Sequence, residues 1–246
     1  WVPLSLALGA IGNVASIAGR SDAGGAFFLR LGKTLAEQGV VLGLVAGVGG
    51  FLVPRLLGRT TLPSLGGPAA GVAGAAPRAL RALVPSRAAI HGAAALLFVA
   101  SFPLEAAGAV RVAYASRAAA VGAVFALEAR FHRPGPLSGP HGPLLLASLW
   151  MIVAGLAGVA LWPAHRVAML HVAMIGGISV MIFTVGTVVV TSHTTPTTRE
   201  DRPAHLFPAL AAGMGVALVG RLAAEASADA FFPVLGVAAA AWVFDA

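Results

Sequence analysis

Eight long apolar runs constrain the fold of this sequence more than any other feature. Each is close to the roughly 20 residues that an α-helix needs to cross the hydrocarbon core of a bilayer. Charged residues make up only 10% of the chain, against about 25% in ordinary soluble domains. The runs lie at 1–19, 36–57, 88–108, 112–129, 143–162, 167–191, 205–220 and 230–244. The sequence therefore predicts an integral membrane protein embedded in the lipid bilayer.

The continuity of the runs predicts helices. Strands of a transmembrane barrel would show segments of about ten residues that alternate between polar and apolar side chains, and these runs are unbroken. We expect an all-α, polytopic transmembrane bundle with seven or eight spanning helices. The region 88–129 decides between the two counts, because Pro103 and Glu105 interrupt its pattern and Arg111 and Arg117 fall within it.

A polar segment divides the chain into parts. We predict a two-helix front part at 1–58, an extramembrane loop rich in Arg, Gly and Pro at 59–87, and a helical membrane bundle at 88–246. With eight alternating crossings, nine basic residues share the side of this loop, here named the loop side, and seven lie on the opposite side. The excess of positive charge favours a cytoplasmic loop side.

Several classes of function are excluded or disfavoured by composition. The chain has no cysteine, which excludes thiolate-held iron–sulfur clusters and c-type haem attachment. Its net charge of +7 sits between apolar runs, where membrane topology places it, so nucleic-acid binding is not predicted. The sequence also lacks a phosphate-binding Gly-Lys-Ser/Thr loop, a Gly-x-Ser-x-Gly elbow and a His-Glu-x-x-His pair. These absences do not favour an enzyme.

The histidines are the candidate metal ligands, because imidazole commonly binds haem iron and copper. His91, His132, His141, His193 and His205 are predicted on the loop side, and His165 and His171 on the opposite side. One apolar helix separates His171 from His193, and its length at 1.5 Å per residue places them about 33 Å apart. These two histidines therefore cannot share a metal.

Each side of the membrane has its own candidate site. On the loop side, His193 could meet His205 across a short loop, or His91 from an earlier helix, to hold haem. On the opposite side, Met174 shares a helix face with His171, and an imidazole beside a thioether suits Cu(I). The simpler alternatives are interfacial histidines bonded to lipid headgroups or backbone carbonyls, and a methionine that only packs.

Arg221 has two interpretations that the sequence leaves open. Its guanidinium matches the geometry of a carboxylate and could bind a haem propionate. Alternatively, Glu225 lies four residues later on the same helix face, which predicts an interfacial ion pair of small energy.

The segment Leu170 to Thr195, LHVAMIGGISVMIFTVGTVVVTSHTT, resembles the NnrS family of haem- and copper-containing membrane proteins linked to nitric oxide metabolism. The matching positions are His171, Gly176, Met181, His193 and Thr194. VALVGRLAAE around Arg221, GPLLLASLWMIVAGLAGVAL and VAGVGGFLVPRLLGR are also similar to family segments. The chain departs from the family where LAEQ at Leu35 to Gln38 replaces a His-x-His-Glu group, and it is shorter than the usual twelve-helix member.

The resemblance implies a divergent, shortened NnrS-like protein in the cytoplasmic membrane of a bacterium. It implies bound haem, with copper as a further metal, and a role in nitric oxide or respiratory metabolism. The loss of two candidate histidines predicts at most one metal centre per chain. The alternative function is a metal-free accessory subunit that packs against other membrane subunits through small-residue helix faces. A transporter is disfavoured because no discontinuous helices recur in matching halves.

Overall fold

The computed structural model describes residues 1–20, 25–59, 86–133, 137, 139–194, 206–226 and 231–245. These residues form eight helices and no strand, which confirms the all-α prediction. The first four helices are α1 (Val2–Ala18), α2 (Gly25–Leu56), α3 (Arg87–Ala106) and α4 (Val110–Glu128). The others are α5 (Gly142–Leu161), α6 (166–194), α7 (Leu206–Ala226) and α8 (Phe231–Asp245).

Six of these helices are long and apolar enough to cross a membrane, and two apolar helices, Val2–Ala18 and Phe231–Ala241, are shorter. The predicted seven or eight spans agree with this set. Region 88–129 forms two separate helices, α3 and α4. The chain turns between them at Gly108, whose φ of +92° lies in the region that glycine adopts most readily.

Two of the described helices contain π-helical segments, in which backbone hydrogen bonds join residues five positions apart and not four. In α2 these segments are Leu35–Gly39 and Val45–Gly49. α6 starts after a 3₁₀ turn at Pro163–His165 and becomes π-helical over Val172–Ser179, directly after His171. Segments of this kind occur frequently at functional sites. Both candidate regions described below contain one.

Glycines bring neighbouring helices into close contact. A Cβ added at Gly32 of α2 would lie 2.5 Å from the backbone nitrogen of Ser16 in α1. A Cβ at Gly155 of α5 would lie 2.6 Å from the backbone nitrogen of Ala173 in α6. Only glycine permits this approach, and such small-residue contacts are typical of helix pairs in lipid.

The centre of the bundle is aromatic and aliphatic, and its outside is equally apolar. Phe98, Phe102 and Phe125 are fully buried and belong to one core cluster that also contains leucine and isoleucine side chains of α5. Large apolar side chains such as Leu96 and Phe232 are exposed. An apolar exterior suits a protein whose solvent is lipid, because no hydrophobic effect drives these side chains inward there.

Contacts between helix ends agree with alternating crossings. On the loop side, the imidazole of His141 donates from Nε2 to the carbonyl oxygen of Leu56 at 3.1 Å. Also there, Arg59 donates from Nη1 to the carbonyl oxygen of Arg130 at 2.8 Å. On the opposite side, Arg166 forms an ion pair with Glu105. Most of the predicted extramembrane loop, residues 60–85, lies outside the described residues.

Candidate functional site

His171 stands where α6 changes from α-helical to π-helical geometry. Its Nδ1 lies 2.7 Å from the carbonyl oxygen of Val167, four residues earlier. A carbonyl only accepts, so Nδ1 carries the proton and donates it. Its Nε2 accepts a hydrogen bond from Nε of Arg221 at 3.1 Å. The imidazole is therefore neutral, with its lone pair on Nε2, which is the form that binds a metal.

Arg221 lies on α7 and reaches His171 across the helix interface. Its side chain is 12% exposed, and Nη2 lies 3.8 Å from Oε1 of Glu225. The predicted i, i+4 ion pair is thus present, with a long N–O distance. Nη1 is buried without a hydrogen-bond partner in the described part of the chain. Such a donor is expensive to leave unpaired and favours an additional acceptor.

A cavity of about 410 Å³ adjoins this pair between α6, α7 and α8. His171, Arg221 and Ser179 are polar residues in its wall, and most of the remaining wall is apolar, including Met174 and Leu235. Ligand sites are typically concave and apolar, with a few polar groups that fix orientation. The wall suits an apolar molecule that carries an acidic group for Arg221.

The side chains of this pocket favour a metal that takes a single ligand from the protein over a metal coordinated entirely by protein side chains. His171 and Met174 are three residues apart on one helix, so both would approach a metal from the same direction. Among the residues that the structure describes, there is no group of three His, Cys, Asp or Glu side chains that could hold a metal. His171 would therefore supply a single imidazole, which suits the iron of a haem or a Cu(I) ion with few ligands.

The other predicted ligands are arranged differently. His91 accepts a hydrogen bond at Nδ1 from the indole Nε1 of Trp1 at 3.0 Å, and its Nε2 lies 2.9 Å from Oε1 of Glu128. Both ring nitrogens of His91 are thus engaged within the protein. The side chain of His193 and the whole of His205 lie outside the described residues. The structure brings His171, Met174 and Arg221 together and leaves His91 apart from them.

A second polar cluster, here named the Glu105–Arg117 cluster, lies inside the bundle. Arg117 of α4 has a fully buried side chain, and that of Glu105 on α3 is only 4% exposed. Arg117 Nη2 pairs with Glu105 Oε2 at 2.5 Å, and Arg166 of α6 pairs with Glu105 Oε1. One carboxylate is therefore shared by two guanidinium groups from different helices.

Neutral side chains add further hydrogen bonds to the cluster. Arg117 donates from Nη1 to Oε1 of Gln38 at 2.7 Å and from Nε to Oγ of Ser101 at 2.9 Å. Gln38 donates in turn to the hydroxyl of Tyr114 at 2.9 Å. Gln38 belongs to the π-helical segment Leu35–Gly39 of α2. The cluster thus joins α2, α3, α4 and α6 near the opposite side.

Periodicity within single helices does not predict this cluster. In the sequence, Glu105 interrupts the apolar pattern of region 88–129 and Arg117 falls within it. Opposite charges in consecutive helices joined by a short glycine turn were the available signal, because such helices pack antiparallel and their charges can meet. Both carboxylate oxygens of Glu105 contact arginines, so a structural role is favoured over proton transfer.

Comparison with known proteins agrees with the resemblance in the sequence. A family model described as NnrS protein matches residues 1–245, nearly the whole chain. No curated protein and no solved structure matches the chain. Together with the apolar helical bundle, the family match identifies this chain as an integral membrane protein that belongs to the NnrS family.

Proposed function

We propose that this chain binds haem in the pocket between α6, α7 and α8. The observation that carries the proposal is His171, whose Nε2 lone pair faces Arg221 at the edge of a 410 Å³ apolar cavity. A ring nitrogen whose partner Nδ1–H is fixed by a backbone carbonyl is the usual arrangement of a histidine that ligates a metal. The buried, unpartnered Nη1 of Arg221 supports an acidic ligand group beside it.

Each residue has a defined task in this proposal. His171 would hold the haem iron through Nε2, and the carbonyl of Val167 holds its ring orientation and its tautomer. Arg221 would hold a propionate carboxylate through its guanidinium fork. Bound haem would supply an iron centre that takes up diatomic ligands. The link to nitric oxide in a bacterial inner membrane comes from the family resemblance.

One alternative metal and one other metal site remain as predictions. Copper is the alternative metal for His171 with Met174, because imidazole and thioether ligands suit Cu(I). On the loop side, a haem site at His193 would use His205 as the second ligand more readily than His91, whose ring nitrogens contact Trp1 and Glu128. The loop-side and opposite-side sites are one membrane thickness apart, so their variants give independent results.

A metal-free accessory subunit is the second candidate function. Among the described residues, a Cβ added at Gly92, Gly186, Gly215 or Gly236 would meet no atom within 4 Å. These glycines leave shallow places on α3, α6, α7 and α8 where a helix of another subunit could approach closely. In this function, the bond between Arg221 and His171 would only join α6 to α7.

The test is an optical spectrum and metal analysis of the detergent-purified protein and three variants. We expect a Soret band in the wild type, its loss in His171→Ala, and its retention in His193→Ala. His165→Ala is the matched control, because His165 is an exposed histidine on the same side, six residues before His171. Loss of the band in His193→Ala alone would move the site to the loop side. A colourless wild type that co-purifies with other membrane proteins would support the accessory role.

A further inference from the structure

Arg221 donates a hydrogen bond to Nε2 of His171, the nitrogen that a metal would bind. The only lone pair of the neutral His171 ring is on Nε2, and Arg221 donates its Nε–H to that atom at 3.1 Å. A metal at Nε2 and this hydrogen bond exclude each other, because one lone pair serves one partner. In addition, the guanidinium charge beside Nε2 repels any bare cation that approaches.

We propose that Arg221 is a selectivity latch, which admits to His171 only a metal complex that carries its own carboxylate. This inference rests on the proposed haem function and adds to it a rule for which ligands enter. Arg221 would exchange its hydrogen bond to the imidazole for one to the ligand's carboxylate, and Nε2 of His171 would then be free to hold the metal. A bare metal ion, or a metal complex without an acid group, would leave Arg221 bonded to Nε2 and would not bind to His171.

The contacts of Arg221 show why it can leave His171. In the closed position Nη1 has no hydrogen-bond partner among the described residues, and the carboxylate of Glu225 lies 3.8 Å from Nη2. Arg221 itself lines the cavity. A carboxylate in that cavity would satisfy the unpaired nitrogen, so the open position gains a strong charged hydrogen bond that the closed position lacks.

The latch predicts opposite responses to two forms of one ligand. Iron protoporphyrin has two propionate groups, and its dimethyl ester lacks both acids while keeping the same iron and ring. Wild-type protein should bind the acid form at least about tenfold more tightly than the ester, which corresponds to one charged hydrogen bond. In Arg221→Met, binding of the acid should weaken and binding of the ester should strengthen. The latch predicts these opposite changes in affinity, whereas the loss of a residue that only packs would weaken the binding of both forms.

A second measurement uses the protein without any ligand. Diethyl pyrocarbonate modifies accessible, unprotonated imidazole nitrogens, and mass spectrometry gives the rate for each histidine. His171 should react several-fold faster in Arg221→Met than in wild type, and the exposed His165 should react equally in both. Glu225→Gln changes a partly exposed side chain and removes the alternative partner of Arg221, so His171 should react more slowly than in wild type.

The two measurements separate the latch from the proposed function. If neither porphyrin form binds to wild type or to Arg221→Met, the haem proposal fails, and the His171 rates alone decide whether Arg221 blocks Nε2. Equal His171 rates in wild type, Arg221→Met and Glu225→Gln overturn the latch. Weaker ester binding in Arg221→Met than in wild type also overturns it.

Discussion

Replacing Glu105 should be the most destabilising single change in the Glu105–Arg117 cluster. Glu105→Ala removes the carboxylate that pairs with both arginines, and Arg117 then remains fully buried with only Gln38 and Ser101 as hydrogen-bond partners. Breaking a buried pair in this way typically lowers the free energy of unfolding by about 3–5 kcal/mol. Arg166 adds little to this loss, because its side chain is 38% exposed and can be solvated.

Removing Arg117 instead should be milder. In Arg117→Met, Glu105 keeps its ion pair with Arg166 and its hydrogen bond from the Tyr114 hydroxyl at 3.2 Å. The double variant Glu105→Leu with Arg117→Met removes both charges, while Gln38 and Tyr114 still satisfy each other. Replacing a whole buried pair by apolar residues is often neutral or stabilising. The double variant should therefore be more stable than Glu105→Ala.

The assay is reversible unfolding by a denaturing detergent in mixed micelles, followed by circular dichroism. Glu128→Ala is the matched control, because Glu128 also pairs with an arginine, but Arg87 is 69% exposed. That pair should contribute about 0–1 kcal/mol, with up to roughly 1 kcal/mol more for the hydrogen bond to His91. Equal losses for Glu105→Ala and Glu128→Ala, or a double variant as unstable as Glu105→Ala, would refute the argument.

Three further predictions follow from the helix map and the donor set. Single cysteines at Val172 and Thr194 should react from opposite membrane faces, because α6 separates them; labelling of both from one face in sealed vesicles would contradict this topology. Gly32→Ala should destabilise the protein, because its Cβ would meet backbone atoms of α1, whereas Gly92→Ala should be neutral or slightly stabilising in the same unfolding assay. Metal analysis should find at most one equivalent per chain, and two tightly bound equivalents would show that other side chains replace the missing histidines.

The number of helices and most of their positions could be predicted from sequence because lipid imposes a simple length requirement, although α2 begins at Gly25, before the apolar run at 36–57. Helix periodicity also placed Met174 near His171, and both residues line the same pocket. The contact between Arg221 and His171 could not be predicted, because it depends on how α7 packs against α6. Periodicity within one helix does not specify that packing. Gln38 was missed as a partner of Arg117 for the same reason: four helices must pack before the cluster exists.

The Glu105–Arg117 cluster also has a consequence for how the chain enters the membrane. Arg117 lies near the middle of α4, where one arginine raises the free energy of insertion by roughly 2.5–3.5 kcal/mol. The partner that offsets this is on α3, and only residues 107–109 separate the two helices. We therefore expect α3 and α4 to insert together as one helical hairpin during synthesis. A ribosome-bound fragment that carries α4 without α3 should fail to integrate.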